Sequence, residues 1–234
     1  MLKIENLTKK YGDQKAVDNL SLHIKAGEIY GFIGHNGAGK TTTIKSAIGL
    51  LQFDEGEVFI DGISIKEKPI ECKKIIAYIP DNPDLYDFMT GMQYLNFIAD
   101  VFEIGATERY DRINKYAEMF EIKKDLYEAI SSYSHGMKQK LAIISAWIHN
   151  PKIIIMDEPF VGLDPKASHL LKGMMREVCD NGGAIFFSTH VLDVAEKLCD
   201  KIAVIKNGKL IKSGTMAEVK GDESLESAFL ELEG

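Results

Sequence analysis

The chain has 234 residues, of which 45% are hydrophobic and 27% are charged, a balance typical of a globular protein and not of a disordered one. Its net charge of -7 disfavours a broad surface for phosphate backbones, so we expect no nucleic-acid partner. No apolar run approaches the roughly 20 residues that a bilayer-spanning helix needs, and the first residues lack the apolar core of a signal peptide. The three cysteines form no C-x-x-C pair, which favours reduced packing residues of a cytoplasmic protein.

The elements predicted in chain order begin with strands. Apolar runs and turn signals predict strands at residues 2–7, 21–24, 29–33, 58–60 and 75–79. After Pro83, apolar residues recur three and four positions apart, which predicts helices at residues 92–98 and 110–120. Strand patterns return at residues 152–157, 184–188 and 202–205, with helices at 165–179 and 191–198 between them and a surface helix at 224–233.

This order of elements predicts an α/β fold in one domain of residues 1–234. An α/β lobe of residues 1–82 and 147–234 is interrupted by a helical subdomain of residues 83–146. Because its later strands are joined through helices, the central sheet is expected to be mainly parallel. The polar residues that follow these strands should then meet at one edge of the sheet.

A glycine-rich loop follows the strand at residues 29–33. Residues 34–41 read G-x-x-x-x-G-K-T and open a helix, which is the context that a phosphate-binding loop requires. Successive backbone N–H groups of such a loop face the phosphate oxygens, and the helix N-terminus adds its positive end. Lys40 is placed to reach the β- and γ-phosphates, and the hydroxyl of Thr41 suits Mg²⁺. The alternative is a flexible glycine-rich hairpin, but the strand before the loop favours binding of a nucleoside triphosphate.

Two carboxylates stand at the end of the apolar run at residues 153–156. Asp157 is placed to hold Mg²⁺, directly or through water. Glu158 is placed to orient or deprotonate a water that attacks the γ-phosphate. The alternative interpretation is a pair of solvated carboxylates that close a turn. The phosphate-binding loop in the same chain favours the catalytic interpretation.

His190 and Ser134 are ambiguous when each is considered alone. His190 ends the strand at residues 184–188 and should share an edge with Gly34 and Asp157, yet a histidine near a core is often only structural. Ser134 is a good N-cap, and Gly136 exposes the backbone near the start of the same helix. Taken alone, this second pattern indicates a capped amphipathic helix and not a binding site.

The order of these motifs resembles that of the nucleotide-binding subunit of an ATP-binding cassette (ABC) transporter, over nearly the whole chain. Tyr11-Gly12 followed by Ala16-Val17 resembles the loop that stacks on adenine, with Tyr11 as the aromatic platform. The other matches are residues 34–42 with the Walker A motif, 133–137 with the signature, 153–158 with Walker B, 162–164 with the D-loop and His190 with the switch histidine.

The resemblance implies a fold, a ligand and a set of site residues. The fold is a P-loop NTPase core with a mainly parallel sheet, an N-terminal antiparallel β subdomain and an inserted α-helical subdomain. The ligand is ATP with Mg²⁺. The implied ATP-binding residues are Tyr11, Val17, Asn36, Gly37, Ala38, Gly39, Lys40, Thr41, Thr42, Ser134 and Gly136. The implied catalytic residues are Lys40, Glu158 and His190, and the implied metal ligands are Thr41, Asp157 and Asp81.

The resemblance also implies a mechanism and partners. Two cassettes associate head to tail, and Ser134 and Gly136 of one protomer cap the γ-phosphate that Lys40, Thr41 and Thr42 of the other hold. The pair is either two copies of this chain or a mixed pair. Its cycle powers a separate transmembrane permease, which holds the chain at the inner face of the cell membrane. The segment at residues 81–91 and the short acidic tail resemble exporter-type bacterial cassettes.

Two departures from the family pattern affect these expectations. Asp81 stands where the family usually has a glutamine that contacts Mg²⁺ and the transmembrane partner. A carboxylate near a γ-phosphate is repelled unless a cation or a proton offsets it, so we hypothesise that Asp81 acts in coupling through a water on the metal. His135 and Met137 replace the usual residues of the signature, and we interpret His135 as a tolerated surface residue.

Alternatives remain for the role of one apolar loop and for the function of the chain. Residues 85–90 are apolar for a loop after a strand and are expected to line a groove for a cytoplasmic helix of the permease, although packing within the helical subdomain also explains them. The competing functions are a non-transport ABC ATPase and a regulatory ATP sensor. The compact acidic chain disfavours the first, and Glu158 disfavours the second. The sequence names no cargo.

Overall fold

Two β-sheets and nine α-helices organise residues 1–233, which this computed structural model describes. The strands are β1 (Leu2–Tyr11), β2 (Gln14–Ile24), β3 (Ile29–Ile33), β4 (Glu55–Ile60), β5 (Ile63–Ser64), β6 (Ile76–Ile79), β7 (Ile153–Asp157), β8 (Ala184–Thr189), β9 (Lys201–Lys206) and β10 (Lys209–Thr215). The helices are α1 (Lys40–Ala47), α2 (Pro69–Lys74), α3 (Gly91–Val101), α4 (Ala106–Met119), α5 (His135–Trp147), α6 (Pro165–Asp180), α7 (Leu192–Leu198), α8 (Met216–Lys220) and α9 (Leu225–Glu233).

The smaller sheet is antiparallel and has the order β2-β1-β4-β5. Its central strand β1 begins with alternating apolar and polar residues, so that Leu2 and Ile4 are buried while Lys3 is exposed. The pairing of β1 with β2 shifts register after Ile4. Asn6 lies at this irregularity with a φ of 50°, a left-handed conformation that asparagine tolerates better than most residues. The bulge lets β1 continue to Tyr11.

The larger sheet has the order β10-β9-β3-β8-β7-β6, and all its pairs are parallel except that of β9 with β10. Every residue of β3, β7 and β8 is buried, as expected for strands that are covered on both faces. The pairs Ile33–Thr189 and Asp157–Ser188 align the carboxyl ends of these strands. The residues that follow β3, β7 and β8 therefore meet at one edge.

Two hydrophobic cores lie on opposite faces of the larger sheet. Along β7, Ile154 and Met156 belong to the core shared with the helices α3 to α6, whereas Ile153 and Ile155 belong to the core shared with the antiparallel sheet. This split follows from the alternation of side chains along a strand. The sheet that carries the strand ends is thus supported from both sides.

The predicted fold class, a mainly parallel α/β core with an N-terminal antiparallel sheet, is confirmed. Each strand and helix predicted above is present, and most lie within a few residues of their predicted bounds, but β2 begins at Gln14, well before its predicted start at residue 21. Strand β10 was not predicted, because it lies at the edge of the sheet and its mixed polar residues show no alternation. The described helices α3 and α4 lie within residues 83–146, and α5 ends one residue beyond. The division into a lobe and a helical subdomain stays a prediction.

The last helix, α9, occupies the residues predicted for a surface helix. Its apolar face, formed by Leu225, Ala228 and Phe229, is buried, and Glu226 and Leu230 are exposed. Among residues 1–233, no helix combines the length and the apolar character that crossing a membrane requires.

Candidate active site

The phosphate-binding loop lies between β3 and α1 and depends on two glycines. A Cβ atom on Gly34 would lie 2.5 Å from the carbonyl oxygen of Ile205, and one on Gly39 would lie 2.5 Å from that of Ala16. Gly39 also has a φ of 109°, a conformation that L side chains rarely adopt. The backbone of β9 and of the segment before Val17 therefore leaves no room for a residue larger than glycine at positions 34 and 39.

Lys40 is the first residue of α1, and its side chain is bent back over the loop. Its Nζ donates hydrogen bonds to the carbonyl oxygens of Gly34 (2.6 Å) and His35 (3.1 Å). Burial lowers the pKa of Lys40, while the carboxylates of Glu158 and Asp157 act in the opposite direction. The ammonium group is thus held at the loop by two carbonyl groups and two nearby carboxylates.

Asp157 links the phosphate-binding loop to two strands. Its side chain is almost fully buried and accepts hydrogen bonds from the hydroxyl groups of Thr41 (2.5 Å) and Ser188. The two donors come from α1 and β8, on different sides of β7. A buried carboxylate needs such partners because an unpaired charge is costly in the protein interior.

Glu158 follows β7 with a φ of 48°, which is uncommon for a residue other than glycine. Its backbone N–H donates to the carbonyl oxygen of Ser188 (3.2 Å). Its Oε1 lies 2.8 Å from Nδ1 of His190, whose side chain is exposed. Strained backbone conformations persist where the surroundings impose them and are frequent at functional sites. Here the imposed conformation directs Glu158 towards the residue that follows β8.

Most of the predicted site residues share one cleft of about 220 Å³. Its lining joins the loop before α1 to the ends of β6 and β7. The predicted residues that line it are Asn36, Gly37, Gly39, Lys40, Thr41, Thr42, Asp81, Asp157 and Glu158. His190 reaches this set through its contact with Glu158. Ala38 belongs to the loop, but its side chain is buried in the core.

Five predicted ATP-binding residues do not line the cleft, Ala38 and four others. Tyr11 is exposed at the end of β1. Val17 is fully buried in the core of the antiparallel sheet, so its side chain presents no surface to a nucleotide. Ser134 caps α5 by accepting from the backbone N–H of Met137 (3.3 Å), and Gly136 lies in the first turn of the same helix. Ser134 therefore has the capping role that the sequence indicates, and neither Ser134 nor Gly136 belongs to the cleft of its own chain.

The start of α5 contacts the segment that follows β7. A Cβ atom on Gly136 would lie 2.7 Å from the carbonyl oxygen of Gly162. Gly162 has a φ of 79°, and a Cβ atom there would lie 2.4 Å from Cδ2 of His135. His135 is therefore exposed and at the same time packed over Gly162. The residues at the signature position and the D-loop position are in contact within one chain.

Two sets of hydrogen bonds that hold the site together were not predicted from the sequence. Asn207 and Gly208 form the turn between β9 and β10, and Gly208 joins the backbone of the phosphate-binding loop, at Ala38 (2.9 Å), to that of Asp18 (2.8 Å). The Asn-Gly pair between two strands is a strong hairpin signal that was available. Ser188, which bonds Asp157, had no comparable signal because its partner lies on another strand.

The cleft fits Mg²⁺ held by few protein ligands. No group of three or more His, Cys, Asp or Glu side chains in residues 1–233 has the arrangement of a metal site. Thr41 and Asp157 instead place two oxygen atoms 2.5 Å apart at the cleft, and Asp81 lines the same space. Mg²⁺ commonly uses one or two such oxygens together with waters and substrate phosphates.

Comparison with known proteins assigns the chain and its fold to a family. The family model described as ABC transporter matches residues 17–161, which include the phosphate-binding loop, the signature position and Glu158. The chain belongs to the ABC transporter family. The family predicted from the motif order is thereby confirmed, and the chain is an ABC transporter ATP-binding subunit.

Relatives of this ABC subunit cover its full length. It is 34% identical over 237 residues to the ABC-type transporter ATP-binding protein EcsA of Bacillus subtilis (strain 168), covering 99% of this chain and 96% of EcsA. A solved ATP-binding subunit of an ABC transporter matches it with a TM-score of 0.96 and 33% identity over 100% of both chains. The dimeric post-hydrolysis state of the cassette MJ0796, bound to ADP and Pi, matches with a TM-score of 0.83 and 27% identity over 92% of this chain and 99% of that chain.

Replacement of Ser188 by alanine tests the importance of its hydrogen bond to Asp157 in this ABC subunit. The change removes a hydrogen bond to the buried carboxylate of Asp157. Loss of a hydrogen-bond partner of a metal-binding carboxylate typically lowers metal affinity or activity about 10- to 100-fold, so ATP turnover should fall by about tenfold or more. Steady-state phosphate release at saturating ATP measures it, with thermal unfolding as a check on folding.

Ser145→Ala is the matched control, because the hydroxyl of Ser145 donates to the carbonyl oxygen of Ala142 within α5 and lies outside the cleft. Its turnover should stay within about twofold of wild type, as is usual for changes away from a site. Wild-type turnover by Ser188→Ala would contradict a contribution of the Ser188 hydroxyl to the site.

Proposed function

We propose that this ABC ATP-binding subunit hydrolyses ATP in the described cleft, with Mg²⁺, and powers a separate transmembrane permease. The observation that carries the proposal is the pair of Glu158 and His190, 2.8 Å apart beside the phosphate-binding loop. A subunit that only senses ATP needs the loop but has no use for a carboxylate held in a strained backbone conformation at its edge. Glu158 therefore favours turnover over sensing.

The residues of the cleft divide the chemistry between binding and proton transfer. When ATP binds, Lys40 exchanges its two carbonyl acceptors for the β- and γ-phosphate oxygens. Glu158 accepts a proton from the attacking water, and help of this kind typically contributes about 10²–10⁴ in rate. His190 holds the carboxylate of Glu158 in place and faces the γ-phosphate. The role of Tyr11 is to stack on adenine at the open side of the site.

Thr41 and Asp157 would hold the metal, with Asp81 acting through water. When bound, Mg²⁺ would offset the negative charge of the phosphates. Ser188 keeps one oxygen of Asp157 occupied, which leaves the oxygen that faces Thr41 to serve the metal.

A second cassette completes the site. Ser134 and Gly136 lie outside the cleft of their own chain, at the N-terminus of α5, where exposed backbone N–H groups favour an anion. The dimeric structure of the cassette MJ0796 bound to ADP and Pi supports a pair of cassettes, for which we propose the head-to-tail arrangement. In this arrangement Ser134 and Gly136 cap the γ-phosphate bound by the partner. The contact of His135 with Gly162 joins this cap to the segment that follows Glu158.

Replacement of Glu158 by glutamine tests turnover. The variant keeps the size of the side chain but cannot accept the proton, so turnover should fall by at least about 100-fold. ATP should then accumulate between two cassettes and produce a stable homodimer. Phosphate release and light scattering after size exclusion, with and without ATP, measure both effects.

Glu128→Gln serves as the control for this test, because Glu128 is exposed and lies away from the cleft. Hydrolysis by Glu158→Gln at the rate of the control would disprove the role of Glu158. A loss of turnover without dimerisation would instead favour a mixed pair of cassettes.

Asp81 gives a separate test of metal binding and coupling. It lines the cleft, and its Oδ1 accepts from the backbone N–H of Asn82 (2.9 Å), which fixes its position at the end of β6. Replacement by alanine should raise the Mg²⁺ concentration for half-maximal ATPase activity about threefold or more, because one oxygen around the metal shell is lost. A magnesium titration at saturating ATP measures this shift. Asp84→Ala, in the same loop but outside the cleft, should leave the requirement unchanged, and equal titrations for both variants would disprove the role.

An aromatic cluster formed by Tyr86, Phe88, Tyr94 and Phe97 is the proposed docking surface for the permease. The ring of Tyr86 lies 5.8 Å from that of Phe88, 6.1 Å from that of Tyr94 and 5.8 Å from that of Phe97. Phe88 is 81% exposed, which packing within the helical segment does not explain. Large exposed aromatic side chains in a group mark interaction sites. An apolar face of a cytoplasmic helix of the permease fits this surface, and the resemblance of the loop to exporter cassettes favours an exporter.

Replacement of Phe88 by aspartate tests the docking surface. A charge at the centre of a desolvated contact costs several kcal/mol, so binding to membranes that carry the permease should fall about tenfold or more. Co-sedimentation with urea-stripped membranes of the source organism measures binding, with ATPase turnover as a check on folding. Tyr110→Asp is the control, since Tyr110 is 70% exposed on α4 and outside the cluster. Equal sedimentation of the two variants would remove the proposal.

A further inference from the structure

The last helix of the chain contacts the phosphate-binding loop. The ring of Phe229, on α9, lies against the imidazole of His35, with the ring centroids 5.1 Å apart and the planes at 64°. His35 is the second residue of the loop that begins at Gly34. Edge-to-face pairs of this geometry contribute beyond the burial of their surface. Phe229 is only 5% exposed, so the contact is part of the packed protein.

Helix α9 is also tied to α7, the helix that follows His190. The backbone N–H of Leu225 donates to Oε2 of Glu196 (3.2 Å), and Lys220 pairs with Oε1 of the same carboxylate (2.6 Å). Glu196 lies in the middle of α7. Helix α9 therefore connects the phosphate-binding loop to α7, the helix that follows His190.

Lys40 links the same loop residue to nucleotide binding. Its Nζ donates to the backbone carbonyl oxygen of His35 (3.1 Å). When Lys40 turns to the phosphates, this carbonyl loses one of its two donors and keeps the backbone N–H of Ala38 (3.1 Å). The position of His35 then depends more on its remaining contacts. The ring of Phe229 is one of these contacts.

We propose that Phe229 is a positioning residue for the phosphate-binding loop, and that nucleotide binding and docking of α9 strengthen each other. The inference rests on the proposed role of the loop in holding the phosphates. A loop held in place by α9 loses less conformational freedom when the nucleotide binds. Coupling between two equilibria is reciprocal, so a nucleotide that orders the loop also stabilises the contact of α9.

Equilibrium titration with ADP tests the first half of the inference. ADP occupies the loop without a γ-phosphate, so association of two cassettes does not contribute. Phe229→Ala should raise the Kd for ADP about two- to tenfold, the range expected for loss of an aromatic pair. Leu230→Ala, at an exposed neighbouring position of α9, should stay within about twofold of wild type. Phe229→Leu keeps an apolar side chain in the core and should lie between the two if Phe229→Ala is poorly folded.

Two further measurements separate positioning from general destabilisation. In a double-mutant cycle, Phe229→Ala should have little additional effect on the Kd once His35 is replaced by alanine. With ATP as the substrate, Phe229→Ala should raise KM while kcat is retained, because the groups that act on the attacking water are unchanged. A lower kcat with an unchanged KM, or additive effects in the cycle, would overturn the inference.

Hydrogen exchange of the wild type tests the reciprocal half. Saturating ADP should slow exchange of the backbone amides of α9, and this protection should be lost in the His35→Ala variant. Failure of the wild type to bind ADP or ATP would overturn the proposed function. Binding by the wild type, with equal affinity in Phe229→Ala and Leu230→Ala and no protection of α9, would overturn only the coupling between α9 and the loop.

Discussion

The hydrogen bonds to the buried carboxylate of Asp157 are the interaction on which the rest of the site depends. One donor, Thr41, belongs to the helix that the phosphate-binding loop opens, and the other, Ser188, belongs to the neighbouring strand. An almost fully buried charge is tolerated only with such partners, so the two segments must stay at this strand end. The parallel register of β3, β8 and β7 brings them there. The position of Glu158, one residue further, follows from the same constraint.

Close backbone contacts, and not only side-chain chemistry, shape the cleft. Gly34 and Gly39 admit neighbouring carbonyl groups at distances that exclude a Cβ atom, and Gly208 connects the loop to the strand beside it. These contacts hold the loop near its two ends, at Gly34 and at Gly39. Helix α9 contacts the loop between these two points, through Phe229 and His35.

The fold was predictable to the extent that each element carried its own pattern. The buried strands at residues 29–33 and 153–157 are continuous apolar runs, and the helix at residues 165–180 repeats its apolar residues at helical spacing. Strand β10 lacks such a pattern because an edge strand that is largely exposed has no face to bury. The surface that α9 covers could not be predicted for a related reason. Its apolar residues indicate a helix with one apolar face, but not the surface that covers that face.

The sequence by itself determined the chemistry that is local in the chain. The phosphate-binding loop at residues 34–41 and the carboxylates of Asp157 and Glu158 could be predicted because each is a contiguous motif at the end of a strand. Only the tertiary structure decided which distant residues complete them: Ser188 on Asp157, Gly208 on the loop and Phe229 on His35. It also placed the side chain of Val17 in the core. The physical reason is that these contacts join residues far apart in the chain, and their geometry exists only once both sheets and the helices around them are packed.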